Sequence, residues 1–105
     1  MEKFAIDIAN EFNKRLGGRW INIGPFSGEQ FYIEILKKRF QEAFSAGEKL
    51  HVYLDGTKGY GSSFLDQSFG ELGREFGVEK VKETIVFHTK LFFWHVEYIN
   101  REIWV

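Results

Sequence analysis

Leu50-His51-Val52-Tyr53-Leu54-Asp55-Gly56-Thr57-Lys58-Gly59-Tyr60-Gly61-Ser62-Ser63-Phe64-Leu65-Asp66-Gln67-Ser68-Phe69-Gly70 carries the chain from one regular element into the next through a glycine-rich turn. Its first five residues are mostly apolar on both parities, the pattern of a central strand covered on two faces. Asp55-Gly56 stops that strand. Beyond the turn, Phe64, Leu65, Phe69, Leu72 and Phe76 recur at helical spacing, and Gly77 closes the helix. Gly70 and Gly73 lie inside it, each costing roughly 1 kcal/mol relative to alanine, so each is expected to allow a close approach, with the sheet as the expected neighbour.

Working outward, the same grammar repeats. Phe4, Ile6 and Ile8 alternate with Lys3, Ala5 and Asp7, predicting a strand over residues 3–9 with one buried face. Gly17-Gly18 interrupts, and Arg19-Trp20-Ile21-Asn22-Ile23 predicts a second short strand, antiparallel to the first, ending at Gly24-Pro25. Ser27 followed by Gln30 is a capping box, and Phe26 is placed to staple onto Phe31, so a helix starts at Gly28. Phe31, Ile35 or Leu36, Phe40, Ala43 and Phe44 form its apolar stripe, and Gly47 is its left-handed cap. Thr84-Ile85-Val86-Phe87-His88 predicts another strand, and Leu91, Trp94, Val96, Tyr98 and Ile99 a short final helix. The predicted order is β-β-α-β-α-β-α. It implies a single α/β domain over residues 1–105, with a mixed, largely parallel sheet of about four strands, three helices and right-handed crossovers.

Composition narrows the function. A chain of 105 residues has room for one core. Lys plus Arg number 14 against 15 Asp plus Glu, a net charge of −1, so no strong field draws the protein to nucleic acid or an anionic membrane. Without cysteine there is no disulfide, thiolate nucleophile, Cys-ligated zinc or iron–sulfur site. The longest apolar run is Leu91-Phe92-Phe93-Trp94, and Met1-Glu2-Lys3-Phe4 lacks the apolar stretch of a signal peptide. The expectation is a soluble, cytoplasmic protein that folds on its own.

The 55–70 segment runs from a strand end into a helix start, where open α/β sheets bind ligands and partners. Gly59 and Gly61 could expose N–H donors to a phosphate, but neither the Walker spacing nor the full dinucleotide fingerprint is present. A small-ligand or nucleotide site at this turn is therefore the alternative. Asp55, His88 and Ser63 could form a hydrolase triad if they converged, although Ser63 lacks the Gly-x-Ser-x-Gly elbow. His51, His88 and His95 show no short metal-ligand spacing, so neither metal nor cofactor is expected. His95, between Trp94 and Val96, reads as a partly buried structural histidine.

The strand, Asp55, the short loop, Ser62-Ser63 at a helix start and the downstream Phe69-Gly70-Glu71-Leu72 resemble the STAS module of anti-sigma factor antagonists. More closely, Gly59-Tyr60-Gly61-Ser62-Ser63-Phe64-Leu65-Asp66 with Phe69-Gly70 is similar to the STAS-like domain family of unknown function, a likeness extending over roughly residues 3–100. This resemblance implies a non-enzymatic regulatory or docking module. It implies a signalling partner with an ATPase fold of the histidine-kinase type, which in the antagonists phosphorylates the second serine of an Asp-Ser-Ser-Gly turn. Ser63 holds that position here, with Gly61 in place of the aspartate and Phe64 in place of the glycine. The partner surface so implied comprises Asp55, Gly59, Tyr60, Gly61, Ser62, Ser63, Phe64 and Asp66.

Two further expectations follow from the residues themselves. Ser63 is expected to cap the helix, with Asp66 completing a weak box, and phosphate on Ser63 would be favoured by the helix dipole and opposed by Asp66. With 12 Phe, 4 Tyr and 3 Trp, some aromatics must reach the surface, and Trp20, Trp94 and Trp104 are candidates for an interface. The terminal Ile103-Trp104-Val105 is expected to pack onto its own domain or onto a second copy in a homodimer.

Overall fold

A computed structural model describes residues 2–105. Strand β1 (Ala5–Asp7) is followed by a single turn, α1 (Ile8–Glu11). Helix α2 runs over 28–45, with π-helical turns at Tyr32–Leu36 between the α-helical Gly28–Phe31 and Lys37–Ser45. Strand β2 (Leu50–Tyr53) leads to helix α3 over 62–76, which carries a π segment at Asp66–Gly70. Helix α4 (Val78–Thr84) passes directly into β3 (Ile85–His88), and α5 closes the chain over 93–103. The sheet has three parallel strands in the order β1-β2-β3, with Ile6 opposite Val52 and Val52 opposite Phe87.

The fourth strand is missing because residues 19–23 do other work. The N–H groups of Gly28 and Glu29, unpaired within α2, donate to the carbonyls of Gly18 and Arg19. Ile21 N–H donates to the Glu29 carboxylate at 2.8 Å, and Ile23 N–H closes a turn onto Trp20. The β-branched residues that suggested a strand thus sit in a cap for α2. The first strand is also shorter than its alternation suggests: Asp7 accepts from the Asn10 N–H and its own N–H donates to Glu11, which turns the chain into α1.

The start of α2 follows its sequence closely. Ser27 Oγ accepts from Gln30 N–H at 3.0 Å, while Gln30 Oε1 accepts from Phe26 N–H at 2.8 Å. Phe26 reaches Phe31 through an intermediary, packing edge-on against Phe12, whose ring lies 5.3 Å from that of Phe31. At the far end Gly47 is left-handed, and Glu48 N–H bonds to Ala43 while Gly47 N–H bonds to Phe44, a Schellman closure. The extra residue in the π turn shifts the buried stripe to Phe31, Tyr32, Leu36, Phe40 and Ala43, leaving Phe44 exposed.

Helices α2 and α3 lie on one face of the sheet and against each other. Gly28 sits over Phe64 so closely that a Cβ there would lie 2.5 Å from the Phe64 carbonyl oxygen. Phe31 stacks on Phe64 and meets Phe69 edge-on, and Phe69 in turn packs on Phe87. Gly70 and Gly73 do permit a close approach, but to α5 and the C-terminus, since added Cβ atoms would meet Ile103 and Trp104. Trp104 is buried against its own domain, stacked on Phe87, with its indole N–H donating to the Phe69 carbonyl at 2.8 Å. The sheet's other face is only partly covered: His51, Tyr53, Val86 and His88 all retain exposure. The expectation that β2 is covered on two faces is corrected accordingly.

Because Trp104 fills the core and satisfies its N–H there, Trp104→Ala is expected to cost about 3–5 kcal/mol. Urea unfolding of the isolated chain, repeated over a range of protein concentrations, measures this; a loss that depends on concentration would instead place Trp104 in a contact between copies.

Candidate functional site

The carboxyl ends of β2 and β3 are tied together by one side chain. Asp55 accepts from the Thr89 hydroxyl at 2.5 Å and from the backbone N–H groups of Lys90 and Leu91 at 2.7 and 3.2 Å. The Thr89 hydroxyl, other hydrogen bonds from Lys90 and Leu91, and the nearby Lys90 charge hold its carboxyl below the usual range despite some desolvation. Asp55 is therefore a strut that fixes the segment after β3. Thr89 passes the restraint on, accepting from Phe92 N–H at 2.8 Å.

That segment presents three large apolar side chains to solvent, Leu91, Phe93 and Trp94, with 71%, 55% and 75% of their surface exposed. Tyr60 buttresses it from beneath. Its ring meets Phe64, Phe92 and His95 edge-on, and its hydroxyl donates to the Leu54 carbonyl at 2.8 Å. Burial of the Tyr60 phenol raises its pKa, and partial burial of His95, stacked on Phe92, lowers that of the imidazole. The loop at 55–61 and the segment at 89–95 thus form one continuous rim at the strand ends.

The helix start differs from its expected form. The N-cap is Gly61, extended at φ −77°, and α3 begins at Ser62. Ser62 is exposed and Ser63 half-buried, and neither side chain caps the helix. The capping box with Asp66 does not form because Asp66 is taken by two arginines. Arg19 Nη1 lies 2.6 Å from Oδ2 and Arg74 Nη1 3.1 Å from Oδ1. Partial burial would raise the Asp66 pKa, but hydrogen bonds and charge from Arg19 and Arg74 bring it below the ordinary carboxylate range.

The implied partner surface therefore divides. Tyr60 and Phe64 are buried and build the core, Asp55 and Asp66 are internal struts, and Gly59 is at φ +139° in the turn. Of the eight residues, Gly61 and Ser62 remain openly available and Ser63 partly so. The hydrolase arrangement is not assembled: Asp55 bonds to residues 89–91, while His88 Nε2 bonds to His51 Nδ1 at 2.9 Å on the open sheet face. The His88 ring stacks on Tyr53 at 4.4 Å, and the Tyr53 hydroxyl donates to Glu2 at 2.5 Å.

Sequence reasoning missed Leu91 and Phe93 as surface residues because the run 91–94 reads as uniformly apolar. It missed the His51–His88 pair because the two are brought together only by the parallel register that sets Tyr53 opposite His88. The two histidines share a face only in the observed register, with Leu50 opposite Ile85, and no local sequence pattern specifies that register.

A parallel sheet with helices packed on one face and a loop-and-helix rim at its carboxyl ends defines a small α/β module. The chain belongs to the family described as a STAS-like domain of unknown function, which matches residues 27–89, from the cap of α2 to the end of β3. Neither a curated protein nor a solved structure matches it. No helix among the described residues is long and apolar enough to cross a membrane.

The clamp on Asp66 has a testable sign. Its depressed pKa contributes stability above the unfolded carboxyl value, near pH 3.9, which is lost as pH falls through the folded value. Asp66→Asn is expected to cost about 1–2 kcal/mol at neutral pH, and the gap to wild type should narrow at a pH below the unfolded carboxyl value. Urea midpoints at the two pH values measure it.

Proposed function

We propose that this chain is a non-enzymatic regulatory module that docks a signalling partner over the rim made by residues 55–70 and 89–94. The observation that carries this reading is the apolar trio Leu91, Phe93 and Trp94, held outward on a segment that Asp55 bonds at three points. Exposed tryptophan and phenylalanine on a rigid support are typical anchors of protein contacts. Membership of the STAS-like family is compatible with a regulatory role.

Serine phosphorylation at the start of α3 supplies the control in this proposal, with Ser63 the acceptor by its resemblance to the anti-sigma antagonists. The N–H groups of the first turn and the helix dipole favour negative charge there. The opposition expected from Asp66 is reduced because Arg19 and Arg74 already offset its charge. The proposed partner is an ATPase or serine kinase of the histidine-kinase type.

Affinity capture from the source cells in the presence of ATP, read by mass spectrometry for partners and phosphoserine, tests the proposal. An ATPase-type partner should bind wild type, and both Trp94→Ala and Ser63→Asp should weaken it by tenfold or more, about 1.4 kcal/mol. Equal affinity of wild type, Ser63→Ala and Ser63→Asp would leave docking without the switch. Failure to find a protein partner, together with a rise in melting temperature on adding nucleotide, would move the function to a small-ligand site at the Gly59–Gly61 turn.

A further inference from the structure

The open face of the sheet holds a second constellation, independent of the rim. His51 and His88 project from adjacent parallel strands with Nδ1 of one 2.9 Å from Nε2 of the other. Glu2, just before β1, brings its Oε2 to 3.9 Å from His51 Nδ1. One donor atom from each of the three lies within 4.8 Å of the others. No other group of three or more histidine or acidic side chains among the described residues converges in this way.

We propose that Glu2, His51 and His88 form a binding site for a divalent transition-metal ion of the zinc type. The spacing supports it. An ion about 2.0–2.1 Å from nitrogen and oxygen ligands in tetrahedral geometry sets those ligands about 3.3 Å apart. The two distances to His51 Nδ1 bracket that value, so the imidazoles need only part by a few tenths of an ångström and the carboxylate close by a little more. Two imidazoles with one carboxylate select borderline metals over calcium or magnesium, which prefer all-oxygen shells.

The surroundings fix the ligands. Tyr53 donates to the Glu2 carboxylate and stacks its ring on His88, so one side chain orients two of the three donors. Partners of this kind commonly govern metal affinity by 10- to 100-fold. A metal requires Glu2 as the carboxylate, and the Tyr53 hydroxyl donates its hydrogen bond to that form. Both histidines retain exposure, which leaves room for water as a fourth ligand.

Isothermal titration of the untagged, metal-stripped chain with zinc chloride tests the site, with cobalt(II) absorption as a second readout. The expected result is one ion per chain with micromolar or tighter affinity, and visible cobalt bands of a low-coordinate site with nitrogen ligands. His51→Ala and His88→Ala should each weaken binding by at least about tenfold, and Tyr53→Phe by a smaller factor. His95→Ala should change nothing. Circular dichroism shows whether each variant is folded; should an alanine variant unfold, His88→Gln, which removes the imidazole and keeps a polar side chain, takes its place. Absence of zinc binding by wild type at about 100 μM, or equal binding by the His51→Ala/His88→Ala double variant, overturns the proposal.

Discussion

The rest of the structure depends on one close approach, the contact between the first turn of α2 and the backbone of Phe64. Only a residue without a Cβ fits at position 28, because an added carbon would fall 2.5 Å from the Phe64 carbonyl oxygen. With Gly28 there, the helices draw together far enough for Phe31 to stack on Phe64 and for Phe69 to fill the space beneath, against Phe87 and Trp104. That aromatic chain runs through a core otherwise filled by aliphatic side chains such as Ile6, Leu50, Val52 and Leu72. It also sets where α3 begins, and hence where Ser62 and Ser63 stand relative to the strand ends.

Concentrating the helices on one face has a consequence for the other. The strands are short, and the outward residues of β2 and β3 are His51, Tyr53, Val86 and His88, all aromatic except Val86 and all partly exposed. A parallel sheet normally buries both faces, and here the second face is occupied by a polar and aromatic network anchored on Glu2. The rim and the open face are thus two products of one packing arrangement. One offers apolar anchors and a helix start, the other a set of metal-ligating atoms.

Much of this was legible in the sequence. The β-α-β-α-β kernel from residue 5 to residue 88, the Ser27 cap, the Gly47 closure and the STAS-like likeness could all be read from local patterns, because capping boxes, left-handed glycines and apolar periodicity act over a few residues. What failed was decided by distant partners. Residues 19–23 look like a strand, but the Arg19 carbonyl accepts from Glu29 N–H, Ile21 N–H donates to the Glu29 side chain and Ile23 N–H turns back onto Trp20. Ser63 looks like a cap, yet Gly61 takes that place and Asp66 is drawn to Arg19, 47 residues away. Asp55 reads as an ordinary turn residue until its bonds to 89–91 are seen. The pairing of His51 with His88 depends on strand register, which no local pattern specifies.

Urea unfolding of Gly28→Ala beside Gly18→Ala tests the account at its foundation. Gly18 lies near the same helix start, but a Cβ there meets nothing within 4 Å. Gly28→Ala is expected to lose about 1–3 kcal/mol while Gly18→Ala stays within about 0.5 kcal/mol of wild type. Equal midpoints for the two variants would contradict the close approach of α2 to Phe64, and with it the placement of the rim and the open face.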